Sequence, residues 1–84
     1  MIKTDPKKFG LSKRTKLYKD KNKVLIKVDR KSRIVMKDGL RFVEIVKKIR
    51  QNKKDQKVTL FTNAPLCSKT KAFLTKRDIS ILEF

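Results

Sequence analysis

Histidine and tryptophan are missing from this chain, and cysteine and tyrosine occur once each. Without histidine the chain has no imidazole base and no imidazole metal ligand. Its single thiol, Cys67, cannot close an internal disulfide, so a reducing, intracellular setting is the simplest expectation. No apolar run approaches the ~20 residues of a membrane-spanning helix. The start, Met1-Ile2-Lys3-Thr4-Asp5-Pro6-Lys7-Lys8, lacks the apolar stretch of a signal peptide. The expected compartment is therefore the cytoplasm. Carboxylates are scarce and scattered. Asp38 and Glu44 stand six residues apart and fall on different faces of a helix, so they do not form an acid–base pair. No catalytic residue, cofactor or metal site is expected.

What the chain has in excess is positive charge. There are 25 Lys and Arg against 8 Asp and Glu, a net charge of +17 in 84 residues. Charged residues reach 39%, well above the usual quarter of a sequence. Like charges repel in the compact state until salt or a polyanion screens them. Solubility, a lysine-rich proteome or a membrane surface could account for such a charge. A nucleic acid, RNA or DNA, accounts for it most directly, since dense Lys and Arg neutralise phosphates. Thirteen of the 25 cations lie before Val35, with only Asp5, Asp20 and Asp29 to oppose them. Residues 1–22 read as a basic, partly disordered arm with Phe9 and Leu11 as apolar anchors. Residues 23–84 read as a single domain.

Within that domain the apolar spacing changes period. Val24, Ile26 and Val28 alternate, predicting a strand. Ile34-Val35-Met36 reads as a second strand, joined to the first as a hairpin through Asp29-Arg30-Lys31-Ser32. Phe42, Ile45, Val46 and Ile49 recur at helical spacing. They predict a helix over 40–50, begun by Asp38-Gly39 with Asp38 capping the first turn. Val58–Thr62 predicts a strand, Pro65 opens a second helix over 66–77, and Ile79–Phe84 predicts a last strand. The expected fold is α/β: a small mixed four-stranded sheet in the order β-β-α-β-α-β, with parallel strands wherever strand and helix alternate.

Two stretches mix cations in a pattern suited to phosphates. Lys13-Arg14-Thr15-Lys16-Leu17-Tyr18-Lys19 adds a tyrosine that could stack on a base, and Arg30-Lys31-Ser32-Arg33 gathers three cations at a turn. The candidate nucleic-acid contacts are Lys13, Arg14, Lys16, Tyr18, Arg30, Lys31 and Arg33. Phe42, Phe61 and Phe73 sit in apolar patterns and are assigned to the core. No signature of an RRM, a KH domain or a zinc finger is present.

The turn after the third predicted strand is the other candidate. Asn63 to Thr70 has the length of a G-x-x-x-x-G-K-[ST] phosphate loop, but Asn63 and Ser68 replace both glycines. A simpler anion site at Asn63, Ser68, Lys69 and Thr70 remains open, at the start of a helix. Cys67 at that start is a candidate reactive thiol. Ala64-Pro65-Leu66-Cys67 resembles the C-P-x-C turn of glutaredoxins with its first cysteine replaced by Ala64. The resemblance covers about a third of the chain, from Val58 to Phe84. It implies a strand–helix–strand unit without dithiol catalysis. The rival to nucleic-acid binding is thus a protein-interaction or thioredoxin/glutaredoxin-like module, with a protein partner at the Asn63–Thr70 turn.

Overall fold

Alternating Val24, Ile26 and Val28 lie on β3 (Lys23–Val28), and Val58 and Leu60 on β4 (Lys57–Thr62). In the computed structural model, which describes residues 2–12, 15–51 and 53–84, these two strands pair in parallel. They are the middle of one five-stranded mixed sheet whose spatial order follows the chain. β1 (Ile2–Thr4) lies antiparallel to β2 (Lys16–Asp20), and β2 lies antiparallel to β3. β5 (Ile79–Glu83) continues the parallel half beside β4. Helices α1 (Met36–Arg50) and α2 (Ser68–Lys76) make the two crossovers, and a 3₁₀ turn at Pro6–Phe9 lies between β1 and β2. Among the described residues, no helix is long and apolar enough to cross a membrane.

The architecture is the expected small α/β domain with a mixed sheet and two helices. The sheet has five strands, not four, and the order is β-β-β-α-β-α-β. The predicted hairpin partner Ile34-Val35-Met36 is not a strand. Ile34 makes one isolated parallel bridge to Leu66, donating to the Pro65 carbonyl at 2.8 Å and accepting from the Cys67 amide at 3.1 Å. The chain then turns directly into α1 at Met36, four residues before the predicted start. Asp38 consequently lies within the first helical turn, and its carboxylate accepts from the Val35 amide at 3.1 Å. Val35, at the N-cap, has no side chain able to accept a bond, so this contact secures the helix start. The true hairpin joins β2 to β3 through Lys21-Asn22, where Lys21 takes a φ of 55°. Both additional strands come from residues 1–22.

Strand residues of one parity build the core. Leu17, Val24, Ile26, Val58, Leu60 and Ile79 form one buried cluster with Phe42, Val46 and Ile49 of α1 and Leu74 of α2. Both helices therefore cover the same face of the sheet. Ile34, Leu11 and Ala64 complete the cluster, while Ile45, Phe73 and Ile81 pack at its margin. Helix α1 meets α2 closely at Gly39, where a Cβ would come within 3.1 Å of Thr70 Cγ2. At the other end of α1, the Arg50 guanidinium donates to the carbonyls of Gln56, Arg77 and Asp78 at 2.9–3.1 Å. This cation joins the helix end to the loop before β4 and the turn before β5.

Candidate functional site

Because β3 and β4 are parallel, the loops that follow them emerge at the same edge of the sheet. They are tied together there. Asn63 Oδ1 accepts from the Arg30 amide at 3.1 Å, and Asn63 Nδ2 donates to Asp29 at 2.7 Å. The Thr62 hydroxyl donates to the Val28 carbonyl at 2.7 Å and accepts from the Ala64 amide at 3.0 Å. The two turns singled out in the sequence, 29–33 and 63–70, thus form one continuous rim.

Their residues differ in what they leave free. Arg30 Nη2 lies 2.6 Å from Asp38 Oδ2, in an ion pair whose side chains are 33% and 23% exposed. The Arg30 hydrogen bond holds the Asp38 carboxyl below its ordinary value of 3.8, against the opposing effect of burial. Lys31 and Arg33 are exposed, as are Asn63, Ser68 and Lys69. Thr70 is fully buried and its hydroxyl lacks a hydrogen-bond partner, so it does not face an anion at the surface. Half-buried Cys67 stands at the start of α2. The Lys69 and Thr70 amides lower the thiol pKa from its usual 9.0 against partial desolvation, with smaller help from the Thr70 hydroxyl and Arg33. None of these approaches forms a full hydrogen bond to sulfur.

The acid dependence of the Arg30–Asp38 pair follows from that direction. A depressed carboxylate pKa contributes stability above about pH 3.8, and the contribution disappears as pH falls through the lower folded value. Asp38→Asn is expected to lower stability by about 1–2 kcal/mol at neutral pH. The deficit against the unaltered protein should shrink well below pH 3.8. Urea midpoints at the two pH values measure this; an equal deficit at both would contradict it.

On β2, Lys16 is exposed and Tyr18 half-buried. Lys16, Lys27, Arg30, Asp38 and Arg41 line a hollow of about 270 Å³ beside the start of α1, which brings two of the candidate contacts together. Lys13 and Arg14 lie outside the described residues. A larger hollow, about 850 Å³, is at the opposite end of the parallel strands, lined by Lys23, Arg50, Lys54, Lys57 and Lys71. Sequence spacing gave no reason to group these lysines.

Tyr18 belongs to the sheet face that neither helix covers. Cross-strand pairing places Tyr18 beside Leu25 and Thr59, and Lys16 beside Lys27 and Phe61. Lys27 Nζ stands 5.7 Å from the Tyr18 ring centre and 5.5 Å from that of Phe84. The Phe61 and Phe84 ring centres are 4.5 Å apart, tilted by 38°. Phe61, expected in the core, is half-buried on this second face. Its phase shows why: Val58 and Leu60 point to the helices, so Phe61 points away.

No family model, curated protein or solved structure matches the chain. The functional reading therefore rests on the chain's own charge and geometry. Among the described residues, no cluster of three or more Cys, Asp or Glu could hold a metal ion.

Proposed function

We propose that this protein binds nucleic acid, RNA or DNA, through its phosphates and with little sequence specificity. The observation that carries the reading is the unpaired state of the charge. Among the described residues, only Arg30 and Lys47 reach a carboxylate within 4.0 Å. Every other described Lys or Arg except Lys27 and Arg50 is exposed. So large an unneutralised charge is self-repelling, and a polyanion relieves it while releasing its own counterions. The proposed contacts are Lys13, Arg14, Lys16, Tyr18, Lys31 and Arg33. Arg30 contributes chiefly by holding the loop against α1.

Fluorescence anisotropy with labelled single strands and duplexes at low salt tests this reading. Binding to several unrelated sequences is expected. Lys31→Glu with Arg33→Glu should weaken all of them alike and reduce the salt slope by about one per lost contact. Absence of binding to any nucleic acid would overturn the proposal. The place of half-buried Cys67 at the start of α2 favours a second reading, a protein-interaction or redox module at the 63–70 turn. Cys67→Ser separates the two, since nucleic-acid binding should survive it unchanged.

A further inference from the structure

The helices cover one face of the sheet, and the other face has a composition of its own. Paired residues across the strands place Lys3, Tyr18, Leu25, Thr59 and Ser80 in one row. The next row runs Lys16, Lys27, Phe61 and Leu82, and a third holds Asp20, Lys23 and Lys57. Five lysines and one aspartate thus surround three aromatic rings, those of Tyr18, Phe61 and Phe84. Leu82 and Phe84 are 47% and 50% exposed. Leu25 is buried yet lies outside the core cluster that the helices cover.

We infer that this face is a stacking platform for single-stranded nucleic acid. The inference deepens the proposed function by naming the form of nucleic acid and where its bases sit, and it rests on that reading. Phe84 is exposed and Tyr18 and Phe61 are half-buried. Partly open rings on a sheet offer flat π surfaces to unpaired bases, and every base has such a surface, so stacking is tolerant of sequence. The surrounding lysines match the phosphates that run alongside. A duplex keeps its bases stacked on one another and offers the rings nothing. Lys27, lying over two ring faces, makes a cation–π contact that a base would replace as the ammonium moves to a phosphate. A second copy of the chain is a poor occupant, because face-to-face packing would set lysines against lysines.

The only tyrosine is on the platform and the chain has no tryptophan, so intrinsic fluorescence reports on Tyr18 alone. Oligothymidylate and oligouridylate of about twelve nucleotides, within the span such surfaces bind, are compared with a duplex of equal phosphate number. Tyr18 emission should be quenched by at least one single strand and little affected by the duplex. Phe84→Leu keeps an apolar side chain but removes the ring. It should weaken single-strand binding about 5- to 150-fold and leave duplex binding unchanged, while Phe84→Tyr should restore it. Equal affinity for single strand and duplex, with no effect of Phe84→Leu, would overturn the platform and leave phosphate binding standing. Binding to neither would overturn both. A dimer in light scattering that Phe84→Leu dissociates would also overturn the platform, assigning the face to a second copy.

Discussion

Leu60→Ala is expected to lower stability by about 2.5–5 kcal/mol. Leu60 is fully buried on β4, the strand flanked by β3 and β5, and belongs to the cluster shared with both helices. Truncation removes its transfer free energy and leaves a cavity that strands paired on both sides close only in part. A domain of this size has about 5–15 kcal/mol in total, and each kcal/mol moves its Tm by about 4–8 °C. Charge repulsion narrows the margin further at low salt. A fall in Tm of at least ~10 °C is therefore expected. Leu82→Ala, on the uncovered face and 47% exposed, should change stability by only about 0.5 kcal/mol. Thermal and urea unfolding followed by far-UV circular dichroism measure both. Similar losses for the two leucines would contradict the assignment of one covered and one open face.

The parts of this fold that were legible in the sequence are those with a long, pure period. Phe42, Val46 and Ile49 kept helical spacing and are buried; Val24, Ile26, Val58, Leu60 and Ile79 kept strand spacing and are buried. The β2 strand was not legible because Leu17 is its only fully buried residue, and its turn uses Lys21 at positive φ where a glycine would have marked a hairpin. β1 has three residues, too few to show an alternation. Ile34-Val35-Met36 has strand composition, but only Ile34 is buried, as the bridge between two loops. The site divides in the same way. Excess charge is a property of composition and was plain. The engagement of Arg30 with Asp38 depends on how the loop after β3 folds back onto α1, which spacing does not encode. The outward direction of Phe61 was available from the phase of Val58 and Leu60, but an aromatic in an apolar run suggests a core. The contacts of Phe84 with Phe61 and Lys27 lie beyond the end of its own strand, where no period marks them.

A salt series tests the central claim most directly. Each phosphate neutralised by lysine or arginine releases condensed counterions, so log affinity should fall linearly with log salt by about 0.7–0.9 per contact. Roughly four to six contacts give a slope of about −3 to −5, which weakens binding by about three to five orders of magnitude across a tenfold rise in salt. The exposed lysines and arginines make this the largest effect expected for the protein. The measurement is the affinity for one unstructured single strand at four or five salt concentrations, with the full chain unaltered. A steep linear fall, similar for strands of unrelated sequence, is the predicted result. Binding that stays constant across the series, or no binding at the lowest salt, would contradict the account.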